Sequence, residues 1–285
     1  MENIARKRVD VVLPAYNPHI NWEKGVAENF LQLQELLPQY DFSLYIATDG
    51  SEMGFEPETV GYLKRKIPGV TIVSYDVNRG KGFALRSAVR LCTGDYTMNI
   101  DHDFPYTFQS IANVLKSLDD GADVVIATRS ESYQQNLPIM RRVLSRASHL
   151  VNKMLFRLPF VDTQGGLKGF NRHGREIFLT TTIERFLYDT QFIYRAVHAK
   201  ADVRSVNAEI KKGLKVSSMG LKVLLREIKN IPEVVRCISP GKRSWKILWI
   251  GNSGISAECP KINFWHFAFD LHKFFVDLQE FYNLQ

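Results

Sequence analysis

Short apolar runs rich in β-branched and aromatic residues recur along the first half of the chain: Val9–Leu13, Ser43–Ala47, Val70–Tyr75, Tyr96–Ile100 and Asp123–Ala127. Each is separated from the next by a segment with helical spacing or polar capping. This alternation implies a largely parallel α/β sheet. Helices are expected at Trp22–Leu37, Pro57–Lys66, Gly82–Leu91, Phe108–Leu118, Met140–Phe156 and Ile183–Ala199. In an open parallel sheet, ligands gather outside the carboxyl ends of the strands. Four segments fall there: Pro14–Pro18, Thr48–Ser51, Asn78–Gly82 and Asp101–Asp103.

The 285 residues, 45% hydrophobic and 24% charged, suffice for a full core, as one large domain or one domain plus an extension. Cys92, Cys237 and Cys259 are widely spaced, with no Cys-x-x-Cys grouping. That usage fits a reduced cytosolic protein and argues against zinc. Arg6-Lys7-Arg8 precedes an apolar run that contains Asp10 and stops at Pro14, so no export signal is expected. No uninterrupted apolar stretch reaches the roughly 18 residues of a transmembrane helix. A cytoplasmic location follows as the expectation, with any membrane contact peripheral. The net charge of +7 favours anionic partners. Bases greatly outnumber acids from Lys211 to Lys246, yet no RNP-like strand or zinc-finger spacing points to nucleic acid.

The domain is expected to span residues 1–236, followed by an aromatic-rich helical extension over 237–285. Leu221, Leu224, Leu225 and Ile228 share one helical face while Lys222, Arg226 and Lys229 lie elsewhere, a basic amphipathic pattern. Such a helix can lie on anionic lipid or pack on the core with its basic face in water. Phe264, Phe267, Leu271, Phe274, Phe275 and Leu278 form a second apolar stripe, broken by Asp270, His272, Lys273 and Asp277. It is amphipathic rather than spanning.

Asp101 and Asp103 end an apolar run, one residue apart. Mg²⁺ and Mn²⁺ take hard oxygen ligands, and a nucleoside diphosphate bound to such an ion needs carboxylates on the ion's opposite side. Capping of the helix near Thr107 is the plainer use for the same two residues. Lys81 stands just before the helix expected from Gly82, where a cation opposes the helix dipole unless an anion is also present. A diphosphate relieves that conflict. Arg129 ends a strand, and Arg141, Arg142, Ser145 and Arg146 crowd into about one and a half helical turns, a density suited to gripping a phosphate.

Leu13-Pro14-Ala15-Tyr16-Asn17, Thr48-Asp49-Gly50-Ser51, Asn78-Arg79-Gly80-Lys81-Gly82, Asp101-His102-Asp103, the string from Asp162 to Phe170, and Tyr188-Asp189 occur in that order. Together they resemble the inverting family 2 glycosyltransferases of GT-A fold, and within them the dolichyl- or polyprenyl-phosphate glucose and mannose synthases. The resemblance spans roughly Val9 to Ser218. It implies a Rossmann-like, mostly parallel sheet flanked by helices, and transfer of a hexose from a nucleotide-diphosphate sugar to a lipid-linked phosphate. The Asp162–Phe170 string is similar to the glucosyl branch, which favours UDP-glucose over GDP-mannose. Pro14, Tyr16, Asn17, Asp49, Arg79, Lys81 and Asp101 are then donor-binding residues. Asp101 and Asp103 hold Mg²⁺ or Mn²⁺. Arg129, Arg141 and Ser145 take the acceptor phosphate, and Asp162, supported by Asp189, orients the reacting acceptor. For Asp189 an exposed helix position is the competing reading.

The chain departs from the family pattern at Pro18 in place of Glu, Thr48 in place of the first of two Asp residues, Pro105 in place of a metal-contacting Gln, and Gln191 in place of Glu. These departures leave two other functions open: transfer to a soluble or polysaccharide acceptor, and a non-catalytic nucleotide- or membrane-binding module on the same fold. Oligomeric state is not legible.

Overall fold

The computed structural model describes residues 6–129, 165–185 and 187–211. The chain divides between Lys215 and Val216 into two compact units, and the described residues belong to the first. The amphipathic segments after Ser217, the domain boundary expected at residue 236, and the expected helix Met140–Phe156 lie outside them.

In chain order the elements are β1 (Lys7–Ala15), α1 (Trp22–Leu36), β2 (Tyr40–Thr48), α2 (Pro57–Lys66), β3 (Thr71–Val73), α3 (Lys81–Val89), β4 (Tyr96–Asn99), α4 (Phe108–Asp119), β5 (Val124–Arg129), β6 (Lys168–Asn171), α5 (Arg172–Leu179), α6 (Tyr188–His198) and β7 (Val203–Ala208). The strands form one seven-stranded sheet in the order β3-β2-β1-β4-β6-β5-β7. β1 pairs in parallel with β2 and β4, β2 with β3, and β5 with β7. Among the described strands β6 alone runs antiparallel, between β4 and β5. This is the mostly parallel, helix-flanked sheet expected from the alternation of runs.

Alternate strand residues serve two layers. Val9, Val11 and Leu13 of β1 and Met98 of β4 pack with Val26, Phe30 and Leu33 of α1, Leu63 of α2 and Ile111, Val114 and Leu115 of α4 in one buried cluster. Across the sheet, Phe170 of β6 stacks on Phe178 of α5 at 5.3 Å and meets Phe192 of α6 edge-on at 5.5 Å. α4 starts where Thr107 turns its hydroxyl to accept the Ser110 amide at 3.3 Å, an N-cap worth ~1 kcal/mol.

At the amino ends of the strands a polar clasp joins β1, β2, β4 and α4. Lys7 Nζ lies 2.8 Å from Asp119 Oδ1, Tyr96 donates its hydroxyl to the same oxygen at 2.9 Å, and Tyr40 donates to Oδ2. Burial pushes the Asp119 carboxyl up, but these hydrogen bonds outweigh it and hold the group below the usual carboxylate range. The hydrogen bonds from Lys7 to Asp119 and Tyr96 raise the Lys7 ammonium to about 12.

Four elements depart from the sequence expectation. β6 and α5 follow one another directly, with Asn171 turning the chain by accepting the Gly174 amide at 3.0 Å. The four residues of β6 include a lysine and a glycine and carry no β-type run. β7 is mostly half-exposed and lacks a continuous apolar stretch. The helix expected over Ile183–Ala199 begins only at Tyr188. Before it, the Thr182 and Ile183 amides donate to Gln191 Oε1 at 2.8 and 3.0 Å, and buried Arg86 donates to the Ile183 carbonyl at 2.6 Å. These side chains satisfy the segment's backbone without helical bonds.

Candidate active site

Three loops at the carboxyl ends of β1, β2 and β3 are tied to one another. Asn17, in the left-handed region at φ 42°, accepts the Glu52 amide on Oδ1 at 2.9 Å, and its own amide donates to Ser51 Oγ at 3.1 Å. Tyr16 beside it is 53% exposed, leaving its ring open to a ligand. Pro14 is the penultimate residue of β1, paired with Ala47.

Asp49 is buried at the end of β2. Oδ1 accepts the Tyr75 hydroxyl and the Arg79 amide, both at 2.8 Å; Oδ2 accepts Asn78 Nδ2 at 3.1 Å, and the Gly80 amide reaches both oxygens. Burial and this carboxylate push the Tyr75 hydroxyl far up. The chain's own donors therefore fill Asp49. It shapes the loop that carries Arg79 and Lys81. Arg79 lies over the Phe83 ring at 3.6 Å and pairs with Glu184.

α3 starts at Lys81, one residue earlier than expected, behind Gly80 at φ 111°. That φ favours glycine, and a Cβ there would stand 2.7 Å from the Glu184 carbonyl oxygen. The same carbonyl accepts the Phe83 amide at 3.0 Å, so part of the helix N-terminus is already satisfied. Lys81 Nζ reaches Asp101 Oδ1 at 2.5 Å. Burial draws the Lys81 ammonium down, but the carboxylates of Asp101 and Asp189 more than reverse it. Burial likewise pushes Asp101 up, and Lys81 overcomes this to leave the carboxyl below its ordinary value.

Asp103 behaves oppositely: burial, then the charge of Asp101, raise its carboxyl. Between them, burial lowers His102, whose ring meets Trp22 edge-on at 6.0 Å. Asp101 and Asp103 thus form an acidic pair in which, among the described residues, Asp101 alone has a direct ion partner, and their hard oxygens suit a Mg²⁺ or Mn²⁺ ion. No group of three or more His, Cys, Asp and Glu side chains suited to a metal occurs among the described residues. Two carboxylates fit an ion completed by phosphate oxygens and water.

The Gly165–Gly166 turn faces this pair. A Cβ on Gly166 would stand 2.1 Å from Asp101 Oδ2, and one on Gly165 would stand 2.4 Å from the Ala127 carbonyl oxygen. The Gly166 amide donates to the Tyr106 hydroxyl at 2.9 Å. Asp189, at the start of α6, is buried rather than exposed. It lies 2.8 Å from the buried Lys168 ammonium, at an angle outside that of a directed hydrogen bond. Burial pushes its carboxyl up against the pull of Lys168 and Lys81. Lys168 and Tyr106 were not singled out from the sequence. A lone lysine between glycines and leucine carries no periodic signal, and only its place in an apolar string marks it.

The departures have local uses. Thr48 Oγ1 accepts the Ser51 amide at 3.4 Å, and the Pro105 carbonyl accepts the Lys211 amide at 2.8 Å. A Cβ on Gly54 would meet the Pro18 ring at 2.7 Å, so the proline packs where the family's glutamate would stand. Gln191 holds the Thr182–Ile183 backbone and donates to Thr182 Oγ1 at 2.9 Å. Its buried role is structural. Asp162, Arg141, Ser145, Arg142 and Arg146 lie outside the described residues. Arg129 closes β5 opposite Ala208, and only its backbone is described.

Comparison with known proteins bears on the fold and the family. The chain is 26% identical over 225 residues to a dolichyl-phosphate beta-glucosyltransferase of Drosophila melanogaster, covering 72% of this chain and 68% of that one. A Dictyostelium discoideum protein of the same name is 25% identical over 201 residues, 66% of this chain and 62% of the relative. The chain thus spans somewhat under two thirds of the latter's length. Among solved structures, glucosyl-3-phosphoglycerate synthase from Mycobacterium tuberculosis, in complex with uridine-diphosphate, superposes with a TM-score of 0.59 at 16% identity, over 85% of this chain and 83% of the other. A mannosyltransferase from Pyrobaculum calidifontis, in complex with GDP-Man and Mn²⁺, gives 0.59 at 18% identity, over 84% and 66%. These likenesses show the GT-A fold. Residues 10–178 match the pattern of Glycosyl transferase family 2, and the chain belongs to that family.

Proposed function

We propose that this protein transfers a hexose, with inversion, from a nucleotide-diphosphate sugar to a polyprenyl phosphate or related lipid-linked acceptor. The observation that carries this reading is the Lys81–Asp101 ion pair at 2.5 Å, set beside Asp103 at the carboxyl end of the sheet. It joins the cation and the carboxylates that a departing diphosphate requires.

Pro14, Tyr16, Asn17 and Arg79 line the base and ribose end, with Asp49 fixing the loop that bears Arg79. Asp101 and Asp103 hold Mg²⁺ or Mn²⁺, which when bound neutralises charge on the leaving diphosphate. Lys81 supplies the protein's own positive charge to the same oxygens. Arg129, Arg141 and Ser145 take the acceptor phosphate, and Asp162 orients it. An acceptor phosphate oxygen attacks the anomeric carbon in line, the bond from that carbon to the diphosphate oxygen breaks, and the nucleoside diphosphate leaves. A phosphate acceptor is already anionic near neutral pH, so Asp162 positions it more than it takes a proton. UDP-glucose is the favoured donor, supported by the names of the relatives. A lipid-linked acceptor implies work at a membrane surface, with peripheral contact.

Thermal unfolding with UDP, GDP, UDP-glucose and GDP-mannose, each with and without Mn²⁺, tests the donor side. Ligand at a hundred times its dissociation constant adds about 2.7 kcal/mol of stability. A metal-dependent rise with one nucleotide supports the reading, as does subsequent transfer to polyprenyl phosphate. No rise with any of the four sinks it in favour of a non-catalytic module.

A further inference from the structure

We infer that the buried Lys168–Asp189 ion pair supports the Gly165–Gly166 turn against Asp101, which makes both residues positioning residues for the diphosphate end of the site. The consequence for nucleotide binding rests on the function proposed above; the support itself does not.

Lys168 is 1% exposed in β6, and its place on the sheet faces the layer of α5 and α6, as does that of Phe170 two residues on. Removing two charges from water is costly, and a well-packed apolar pair of similar volume serves packing as well or better. What an apolar pair cannot do is hold a carbonyl. The Lys168 ammonium donates to the Gly165 carbonyl oxygen at 2.5 Å while lying 2.8 Å from Asp189 Oδ1. The Asp189 carboxylate stands against the ammonium, and the ammonium fixes the turn from below.

From the other side, the Tyr106 hydroxyl accepts the Gly166 amide at 2.9 Å. Held at both ends, the turn brings the Gly166 backbone so close to Asp101 Oδ2 that a methyl group would stand 2.1 Å from it. Asp101 Oδ1 is engaged by Lys81. One carboxylate is therefore boxed, one oxygen by a cation and the other by backbone, and the second wall stands only while Lys168 and Tyr106 hold it. Asp189 acts through Lys168 and need not touch substrate.

The test uses the full chain as Lys168→Met/Asp189→Asn, which removes both charges and so avoids stranding one, and independently as Tyr106→Phe, which frees the turn without touching the ion pair. Two readouts are compared with the parent: hydrogen exchange at the amides of residues 165–168 without ligand, and calorimetric affinity for UDP and for GDP with Mn²⁺. Faster exchange at the turn is expected in both variants, together with a 10- to 100-fold weaker Mn²⁺-dependent nucleotide affinity, the usual effect of losing an outer-shell partner. A folded variant with parental exchange overturns the inference, and so does fast exchange with parental affinity. If the double variant fails to fold, Tyr106→Phe decides by the same criteria. If the parent binds neither nucleotide, the donor reading falls, and the exchange comparison alone decides whether the pair supports the turn.

Discussion

The Gly80 amide points at both oxygens of the Asp49 carboxylate, at 3.0 and 2.8 Å. A backbone group in one loop is thereby locked to the end of a strand in another, and the loop that presents Arg79 and Lys81 inherits the rigidity of the sheet. Asp49→Asn exchanges one acceptor oxygen for a donor that faces other donors. Hydrogen bonds to charged groups contribute roughly 1.5–3 kcal/mol, so a loss of ~2 kcal/mol is expected. Urea unfolding should show a lower midpoint with an unchanged slope. A midpoint equal to that of the parent would remove Asp49 from this role.

Gly166→Ala acts on the site rather than on the fold. The three atoms nearest the added methyl all belong to the Asp101 carboxylate, a side chain that can rotate away. Asp101 must leave Lys81 to make room. Mn²⁺-dependent nucleotide affinity is expected to fall at least tenfold, ~1.4 kcal/mol, with little change in the unliganded melting temperature. Calorimetry beside a thermal melt separates the two.

Gly25 offers the opposite case. It lies within α1, and a Cβ there meets nothing within 4 Å. Gly25→Ala should stabilise the protein by about 0.5–1 kcal/mol through helix propensity and a less flexible unfolded chain. A lower melting temperature would contradict the open geometry at that position.

The clasp around Asp119 sets a pH dependence. Its folded carboxyl lies below the ordinary value, so its contribution is complete above the unfolded value of about 4 and is lost as pH falls through the lower folded value. The raised Lys7, at about 12, contributes fully below its unfolded value and loses its share as pH rises through about 12. Asp119→Asn should flatten the acid limb of unfolding free energy against pH. Both side chains are more than a third exposed, so added salt should weaken the effect. An acid limb unchanged by the substitution would place the titration elsewhere.

Legibility in the sequence followed the strength of the local signal. β1, β2 and β4 are buried runs with few alternatives, and their loops fall where ligands gather, so Asp101, Asp103, Lys81 and the Asn78–Gly82 segment could be read from order and spacing. β6 could not, because Lys168 and Gly169 are poor strand formers whose conformation comes from pairing with β4 and β5. The unhelical stretch before Tyr188 is set by Gln191, two turns along from the backbone it satisfies, and by Arg86, nearly a hundred residues away, and neither contact carries a periodic signal. Asp49 lies at the strand end where its motif puts it, and what the motif does not tell is that its oxygens accept from Tyr75, Asn78, Arg79 and Gly80, a network made by tertiary structure.

Because β6 is antiparallel, the chain leaves β5 at Arg129 and comes back at Gly165 on the same rim of the sheet, the rim that holds Asp101. Each parallel strand delivers a carboxyl end to this rim, whereas the reversed strand delivers an amino end, the Gly165–Gly166 backbone, beside Asp101. One reversal in an otherwise parallel sheet thus gives the acidic pair a backbone wall that a parallel strand in the same place would have carried to the opposite rim.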